Sequence, residues 1–305
     1  MKRDASWLRE GSFGLMTHYM IHTAPRRGEK ITDWNRMVDG FDVERYADDI
    51  AGTGASWTIF LFSQMAYYAA PNERLEALLP GHCARRDLMG ERMRAFRARG
   101  VRFIGYIPAQ MDQQPDPAVR EAFGWHLSAS KAEFHRRYEP VLAEWGERYG
   151  DLLDGWWIDG CYDSRVWRHM PTHDWNNARF HESWFSALRA GNPQRLVAMN
   201  PGPHQPLPVH PDEDYSAGEA FELIDPFPLP QGIQRHVLLC MGTTDWRHTV
   251  AGEADPPRFP DEALAGFIRR QKAAGGAVTL NLAIYQDSTL SEASMAQIRR
   301  VLGRA

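Results

Sequence analysis

The alternation of short apolar runs with amphipathic helical segments constrains the fold of this chain more than any other feature. Residues 57–62 (WTIFLF) combine aromatic and β-branched side chains, which predicts a buried strand. Residues 88–99 (LMGERMRAFRAR) have a helical period, with Asp87 at the N-cap position and Gly100 directly after the helix. This alternation is typical of βα units, whose strands pair in parallel.

The same rhythm continues along the whole chain. The predicted strands are residues 13–18, 57–62, 101–107, 155–158, 196–200, 214–219, 236–241 and 277–283. The predicted helices are residues 43–50, 88–99, 132–149, 178–190, 262–274 and 291–302. Proline-rich residues 201–234 are interpreted as long loops. We therefore predict an α/β fold, a single-domain (β/α)8 TIM-type barrel over residues 1–305 with no C-terminal β-sandwich.

Charge and motif content narrow the classes of function. The net charge is −4 with both signs interspersed, so no nucleic acid partner is predicted. No run of ~20 apolar residues predicts a membrane span, and no signal peptide is visible at the start. Three scattered cysteines argue against a disulfide framework and predict a cytoplasmic protein. Since no GxGxxG, GxxxxGKS/T, GxSxG or CxxC motif occurs, no cofactor is predicted. The oligomeric state stays open.

In such barrels the active site lies at the carboxyl ends of the strands, so side chains at those ends are the candidate site residues. They are His18 and Tyr19 after the first strand, Gln64 after the second, Tyr106 in the third, Trp157 and Asp159 at the fourth, Asn200 at the fifth, Glu219 at the sixth, Trp246 beyond the seventh and Asn281 in the eighth. The chain also holds 11 Trp and 10 Tyr, whose flat apolar faces suit stacking against a sugar ring.

Asp159 is the first candidate for catalysis. It follows the apolar run at residues 156–158 (WWI) and precedes Gly160, which allows a sharp turn that leaves the carboxylate accessible. A carboxylate at the rim of an apolar barrel has to be held by hydrogen-bond donors. A helix cap and a buried ion pair are the structural alternatives for this residue.

Glu219 is the candidate for a second carboxylate beside Asp159. Retaining glycosidases use a nucleophile and an acid/base whose carboxyl groups are ~5–5.5 Å apart. The ends of the fourth and sixth strands lie near each other across a barrel mouth and can supply both. Four nearby carboxylates compete with Glu219, namely Asp212, Glu213, Asp214 and Glu222. A solvated loop carboxylate is the structural alternative.

Two further groupings follow the first strand. His18 and His22 stand four residues apart, but an HExxH zinc site needs them on a helix with a Glu between, so no metal site is predicted. Asp33 and Trp34 would suit one sugar hydroxyl and one sugar face. The structural alternative for this pair is a turn Asp followed by a packing Trp.

Taken in order, these motifs resemble glycoside hydrolase family 29, the α-L-fucosidases. The similar segments are WLREGSFGLMTHYM (7–20), FDVERYADDIAGTGASWTIF (41–60), DLMGERMRAFRARGVRFIGYI (87–107), DLLDGWWIDG (151–160) and AGGAVTLNLAIYQDSTLSEASM (274–295). They span nearly the whole chain, and their order and spacing make the combination more specific than any one motif.

The resemblance implies roles for particular residues. It places the nucleophile on Asp159 and a sugar-contacting histidine on His18. It puts Asp33 and Trp34 where the family has a sugar-binding Glu-Trp pair. The segment DYSAGE (214–219) resembles one in which some members carry the acid/base, which favours Glu219.

One departure from the family follows the second strand. The family has Lys-His-His-Asp-Gly-Phe there, with two histidines that contact fucose hydroxyls, whereas residues 63–68 are SQMAYY. Gln64 keeps a hydrogen-bonding amide but Met65 has none, so weak binding of L-fucose is predicted. Tyr106 or Ile107 falls where the family has a sugar-contacting Tyr.

These observations predict a retaining exo-glycosidase of α-L-fucosidase type, which acts on a glycoside or oligosaccharide through a glycosyl-enzyme on Asp159. Two alternatives remain. One is the same fold and chemistry on a sugar other than fucose. The other is a non-catalytic sugar-binding barrel.

Overall fold

Eight parallel strands form the centre of the protein. The computed structural model describes residues 2–64, 66–111, 114, 116–162, 173, 175, 178–205, 207–242 and 245–302. The strands are β1 (Gly14–Thr17), β2 (Trp57–Leu61), β3 (Arg102–Pro108), β4 (Gly155–Asp159), β5 (Leu196–Met199), β6 (Glu219–Ala220), β7 (His236–Cys240) and β8 (Ala277–Leu282). They pair in the order β5-β4-β3-β2-β1-β8-β7-β6. Because β1 pairs with both β2 and β8, the sheet curls into a barrel, and the predicted TIM-type fold is confirmed.

The helices lie between the strands. They are α1 (Ser6–Glu10), α2 (Trp34–Asp39), α3 (Val43–Ala51), α4 (Glu73–Leu78), α5 (Leu88–Ala98), α6 (Pro117–Ala122), α7 (Ala132–Tyr149), α8 (Ala178–Leu188), α9 (Asp261–Ala273) and α10 (Glu292–Leu302). At the predicted N-cap of α5, Asp87 accepts a hydrogen bond from the backbone N–H of Gly90 at 3.0 Å. The sequence did not predict α1, α2, α4 and α6, because five or six residues are too few to show a helical period.

Side chains of the strands alternate between the barrel interior and the layer under the helices. In β4, Trp156 faces outward and packs on Phe62 with ring centroids 5.0 Å apart. Trp157 faces inward and stacks on Tyr106 of β3 at 5.2 Å. The same period of two directs Asp159 toward the barrel axis at the carboxyl end of β4.

Helix α1 covers the amino-terminal end of the barrel. Its Leu8 is fully buried among the interior side chains. Trp7 packs edge-on against Trp57 of β2 with ring centroids 6.1 Å apart. A ligand therefore approaches the barrel interior from the opposite end, where the strands have their carboxyl termini.

The sixth strand is shorter than the sequence predicts. A strand over residues 214–219 was expected, but β6 pairs with β7 only at Glu219 and Ala220. Upstream there is one isolated bridge, between Tyr215 and Gln234. The prediction was wrong at both ends, because Asp214 bonds to β5 with its side chain, and Gly218, with a φ of 64°, interrupts the extended backbone before Glu219.

The side chains of Glu213 and Asp214 connect β5 to the segment that leads into β6, and these two residues are called the seam below. The Glu213 carboxylate accepts a hydrogen bond from the backbone N–H of Met199 at 2.8 Å, and the Asp214 carboxylate accepts one from Val197 at 3.0 Å. The backbone N–H of Asp214 also donates to the carbonyl oxygen of Val197 at 2.9 Å. Carboxylates thus replace part of the backbone ladder on this side of the barrel.

Two further sequence predictions concern disulfide bonds and membrane-spanning helices. Cys83, Cys161 and Cys240 are free thiols, and Cys161 and Cys240 are buried. Within the described ranges, none of the helices combines the length and the apolar character that crossing a bilayer requires.

Candidate active site

Asp159 and Glu219 lie together at the carboxyl end of the barrel, with Asn200 between them. Asp159 ends β4, Asn200 follows β5 and Glu219 begins β6. The side-chain nitrogen of Asn200 donates to Oδ1 of Asp159 at 2.9 Å and to Oε2 of Glu219 at 2.6 Å. The distance between Oδ1 of Asp159 and Oε2 of Glu219 therefore cannot exceed the sum of these two hydrogen-bond lengths. This separation suits retaining glycosidases (~5–5.5 Å between carboxyl groups) rather than inverting ones (~6.5–9.5 Å).

A glycine in the left-handed region adjoins each carboxylate. Gly160 has a φ of 75°, and its backbone N–H donates to Oδ1 of Asp159 at 2.8 Å. Gly218 has a φ of 64°, and a Cβ there would lie 2.0 Å from the carbonyl oxygen of His236. Other residues are strained or excluded at these positions, so the backbone itself fixes where the two carboxylates lie.

Tyr106 supplies a third donor to the Asp159 carboxylate. Its hydroxyl donates a hydrogen bond to Oδ2. The Tyr106 ring is held by Trp157, which lies parallel to it within 13° and donates its indole N–H to the carbonyl oxygen of Ala217 at 3.1 Å. Both oxygens of this half-buried carboxylate are thus satisfied, as a carboxylate at an apolar rim requires.

Glu219 has the protonation behaviour of a general acid. Burial and the neighbouring charge of Asp159 raise the pKa of Glu219 from 4.5 to about 7, although the hydrogen bond from Asn200 lowers it. A carboxyl group with this pKa is partly protonated at neutral pH and can give a proton to a leaving group. Burial and Asp159 also raise the pKa of the Tyr106 hydroxyl, which therefore stays a neutral donor.

His18 follows β1 directly and places a buried, neutral imidazole beside Asp159 and Glu219 at the carboxyl end of the barrel. Its Nδ1 lies 2.8 Å from Oδ1 of Asn281, whose side-chain nitrogen donates to the carbonyl oxygen of Trp246 at 2.9 Å. Burial lowers the pKa of His18 to about 4. Because Nδ1 donates to Asn281, the Nε2 atom is left as an acceptor, which suits a sugar hydroxyl.

Two cavities meet at the carboxylates. The outer one has a volume of about 410 Å³, and its lining includes Gln64, Gln110, Gln114, Asp159, Glu219, Phe221, Asp245, Trp246 and Arg247. The inner one is lined by Met16, His18, Gln64, Tyr106, Trp157, Asp159, Glu219, Leu238 and Trp246. Its volume of about 20 Å³ holds about one water molecule. The structure thus brings His18, Gln64, Tyr106, Trp157 and Trp246 to the cavities that contain the two carboxylates.

Three residues predicted to bind substrate lie elsewhere, which corrects that part of the sequence analysis. Tyr19 is 1% exposed, and both hydrogen-bond partners of its hydroxyl are backbone carbonyl oxygens. Asp33 caps α2 by accepting a hydrogen bond from the backbone N–H of Arg36 at 2.7 Å. Trp34 is 5% exposed, and its indole N–H donates to a backbone carbonyl oxygen. The structural alternative, a capping Asp before a packing Trp, is therefore the one observed.

The carboxylates that competed with Glu219 have other partners. Glu213 and Asp214 form the seam with β5. Asp212 lies 2.7 Å from a histidine nitrogen, and Glu222 lies 3.4 Å from Arg258. None of the four lines the outer or the inner cavity.

Sequence reasoning missed several residues that line the outer cavity, among them Gln110, Gln114, Phe221 and Arg247. These four lie beyond the carboxyl ends of β3, β6 and β7, in segments without a hydrophobic period or a motif. Position after a strand was the only signal, and in a barrel it applies to every residue of every such loop.

A group of potential metal ligands lies outside both cavities. Within the described part of the chain, His181, His210 and Asp212 have ligand atoms within 4.8 Å of one another. His181 Nε2 lies 2.7 Å from Asp212, and Nδ1 of His210 accepts a hydrogen bond from the backbone N–H of Asp212 at 3.0 Å. Nε2 of His181, Nδ1 of His210 and one carboxylate oxygen of Asp212 thus already take part in hydrogen bonds.

Comparison with known proteins identifies solved structures with the same fold, which are called fold relatives below. No family model and no curated protein matches the chain. An endo-fucoidan hydrolase of glycoside hydrolase family 107 has a TM-score of 0.71 at 17% identity, covering 97% of this chain and 53% of that chain. A second one has a TM-score of 0.70 at 13% identity, covering 99% and 93%.

An α-L-fucosidase of family GH29 from Bacteroides thetaiotaomicron is also similar. Its TM-score is 0.68 at 13% identity, and the match covers 99% of this chain and 73% of that chain. The chain spans about half the length of the first endo-fucoidan hydrolase. At these identities the likeness establishes a shared fold, the barrel of these glycoside hydrolases.

Proposed function

We propose that this protein is a retaining glycoside hydrolase of α-L-fucosidase type, with Asp159 as the nucleophile and Glu219 as the acid/base. The observation that carries the proposal is the single nitrogen of Asn200 that binds both carboxylates. The resulting separation suits double displacement, and a pKa of about 7 suits the acid/base role of Glu219. The barrel shared with α-L-fucosidases and endo-fucoidan hydrolases supports a carbohydrate substrate.

The reaction proceeds in two displacements. First, an oxygen of Asp159 attacks the anomeric carbon, the bond from that carbon to the leaving oxygen breaks, and the proton of Glu219 moves to the leaving oxygen. A glycosyl-enzyme ester results. Second, the Glu219 carboxylate takes a proton from water as the water oxygen attacks the same carbon, which releases the sugar and the Asp159 carboxylate.

The shape of the inner cavity favours cleavage at a chain end. Below the carboxylates the cavity narrows to about 20 Å³ between Met16, Trp157 and Leu238. Helix α1 then covers the amino-terminal end of the barrel with the buried side chain of Leu8. Because the barrel is closed below the carboxylates, a substrate chain can extend only toward the open mouth, which supports the proposed action on a terminal sugar.

The fold relatives support L-fucose as the sugar of the substrate. Gln64 instead supports the alternative, a sugar other than fucose. Gln64 lines both cavities at the place where the resembled family has a fucose-binding histidine. Its amide can donate and accept, but with a different reach from an imidazole. Met65, on which the expectation of weak fucose binding also depends, lies outside the described residues.

Covalent trapping tests the proposal. Incubation with 2-fluoro-fucosyl fluoride should attach one glycosyl unit to Asp159, detected by mass spectrometry of the intact protein and its peptides. A panel of other 2-fluoroglycosyl fluorides reports the preferred sugar, and labelling by one of these alone would establish the alternative. A label on a residue other than Asp159 would refute the assigned nucleophile.

Two variants complete this experiment. Asp159→Ala should lose nearly all turnover and all labelling, because removal of a covalent catalyst costs several kcal/mol of transition-state stabilisation. Added azide should restore part of the turnover. Asp225→Ala is the matched control, since it removes a carboxylate whose side chain is 87% exposed and should keep both turnover and labelling.

A further inference from the structure

Asn281 links β8 to the segments that follow β1 and β7. It is 2% exposed, and both polar atoms of its side-chain amide have partners. Nδ2 donates to the carbonyl oxygen of Trp246 at 2.9 Å, and Oδ1 lies 2.8 Å from Nδ1 of His18. Because Asn281 pairs with Met16 in the register of β1 and β8, His18 stands two positions farther along the chain on the same inward face.

The carbonyl oxygen of Trp246 determines which way this amide faces. A backbone carbonyl can only accept a hydrogen bond, so the amide atom beside it is the nitrogen of Asn281. The amide oxygen therefore faces His18. Since this oxygen can also only accept, Nδ1 of His18 carries the proton of their hydrogen bond. The backbone after β7 thus fixes the tautomer of a histidine that follows β1.

The surroundings of His18 keep its imidazole neutral. Burial lowers the pKa of His18 to about 4, although the hydrogen bond with Asn281 raises that pKa. The nearby charges oppose each other, since Arg247 lowers the pKa and Asp245 raises it, and these two form an ion pair of 2.9 Å. Aromatic rings pack against the imidazole at centroid distances of 5.7 and 5.9 Å, those of Tyr106 and Trp246. With its one ring proton on Nδ1, His18 has a lone pair at Nε2.

The lone pair at Nε2 is important because carboxylates lie beside it. His18 lines the inner cavity together with Asp159 and Glu219, and the cavity volume of about 20 Å³ holds about one water molecule. A proton on Nε2 would be donated to these carboxylates, directly or through that water. Such a donor would stabilise the charged form of Glu219, as Asn200 does, and would lower its pKa. The Nδ1–H tautomer spares Glu219 this additional donor.

We propose that Asn281 is a positioning residue, which holds His18 in the Nδ1–H tautomer and so keeps an N–H donor away from Glu219. The effect on Glu219 rests on the proposed glycosidase function, in which this carboxyl group has to be protonated. The tautomer itself does not depend on that function, because the amide and the backbone carbonyl of Trp246 fix it. A ligand group that binds Nε2 then has to be a hydrogen-bond donor.

Nuclear magnetic resonance measures the tautomer of His18 in the wild type. In protein with ¹⁵N-labelled histidine, long-range ¹H–¹⁵N correlation spectra distinguish an Nδ1–H imidazole, an Nε2–H imidazole and an imidazolium. The His18 signal is assigned by its absence from His18→Gln. The chain has a reference for each neutral tautomer. Nδ1 of His236 faces two backbone carbonyl oxygens and is protonated, whereas Nδ1 of His210 accepts from the backbone N–H of Asp212. Near neutral pH, His18 should match His236.

Asn281→Leu removes the acceptor and keeps a side chain of similar size. The ring proton of His18 should then move to Nε2, where the carboxylates accept it, and the spectrum should change accordingly. In the pH profile of kcat/KM, the alkaline limb should move about one pH unit lower, because the new donor stabilises the charged form of Glu219. A displaced Trp246 would move the limb the opposite way, since Trp246 lowers the pKa of Glu219.

Asn72→Leu is the matched control. The Asn72 amide is also buried, at 3% exposed, and has two hydrogen bonds. It donates to the carbonyl oxygen of Val141 at 2.9 Å and accepts from the backbone N–H of Leu75 at 2.8 Å. Asn72 is the N-cap of α4 and lines neither cavity. This variant should therefore lose stability but keep the tautomer of His18 and the position of the alkaline limb.

The outcomes separate this inference from the proposed function. An Nε2–H imidazole or an imidazolium at His18 in the wild type would overturn the inference, even in protein that trapping shows to be active. A proton that stays on Nδ1 in Asn281→Leu would overturn it too, and so would an alkaline limb that does not move when the tautomer changes. If the wild type is not labelled, the proposed function fails and the spectra decide the role of Asn281. If Asn281→Leu does not fold, the wild-type spectrum decides.

Discussion

Tyr106 and Asp159 lie on neighbouring strands, and the hydroxyl of Tyr106 donates a hydrogen bond to the carboxylate of Asp159 along a diagonal of the sheet. In the register of β3 and β4, Tyr106 pairs with Trp157 and Asp159 pairs with Pro108. The two side chains are thus two positions apart on the same inward face, a distance that a long aromatic side chain spans. This contact occupies Oδ2 and leaves Oδ1 to Asn200 and the backbone N–H of Gly160.

Tyr106→Phe should lower kcat about 10- to 100-fold, because a hydrogen bond to a charged group contributes ~1.5–3 kcal/mol. Its fold should be kept, since the ring still stacks on Trp157. Tyr138→Phe is the matched control, as it removes another buried hydroxyl, one that donates to the carbonyl oxygen of Pro108 at 2.9 Å. It should cost about 1 kcal/mol of stability and little activity. Equal kcat values for Tyr106→Phe and the wild type would contradict the role of this contact.

Glu219→Gln should affect substrates according to their leaving groups. Because the amide cannot give up a proton, glycosides of poor leaving groups should lose about 100-fold or more in kcat/KM, and activated aryl glycosides much less. In the wild type the acid is active when protonated, so kcat/KM should fall as the pH rises through about 7, the pKa of Glu219. This alkaline limb should vanish in the variant. A limb that persists there would assign it to another group.

Asn200→Ala should move the alkaline limb to higher pH. The hydrogen bond from Asn200 stabilises the charged form of Glu219 and lowers its pKa, whereas burial and Asp159 raise it. Without this donor only the contribution of Trp246 still lowers the pKa, so Glu219 stays protonated to a higher pH. The measurement is the pH profile of kcat/KM on an activated aryl glycoside. A limb displaced to lower pH would show that Asn200 does not bridge the carboxylates in solution.

Gly218→Ala should unfold or inactivate the protein, whereas Gly100→Ala should not. Both glycines have a positive φ, of 64° and 73°. An added Cβ at Gly218 would lie 2.0 Å from the carbonyl oxygen of His236, but at Gly100 it would meet no atom within 4 Å. The Gly100 variant therefore isolates the conformational cost, ~1–3 kcal/mol, and thermal unfolding compares the two. Similar melting temperatures would show that the backbone before Glu219 is not confined as described.

The barrel and the site residues at the strand ends could be predicted from the sequence better than the site residues in the loops. The nucleophile candidate Asp159 was identified because an apolar run, a carboxylate and a glycine occur in consecutive positions. Asn200 and Tyr106 were identified because each lies at the end of a strand, and ends of neighbouring strands meet in a closed barrel. Strand periodicity therefore determines which side chains enter the barrel, without any knowledge of the loops.

The errors come from residues whose role depends on contacts distant in sequence. Asp33 and Trp34 have the chemistry of a sugar site, yet the packing of α2 uses them as a cap and a core residue. Residues 214–219 have the pattern of a strand, but the Asp214 carboxylate bonds to the β5 backbone. No local pattern distinguishes a carboxylate that binds a neighbouring strand from one that faces a cavity.

Because Glu213 and Asp214 form the seam, the side of the barrel between β5 and β6 should differ from the rest in its pH dependence and in the exchange rates of its backbone amides. Burial raises the pKa of Glu213 to about 8, so this side chain changes charge near neutrality while it holds the backbone of Met199. A strand that depends on carboxylates for part of its pairing should open locally before strands in a full ladder. Amides of β5 should therefore exchange faster than those of β2 or β3.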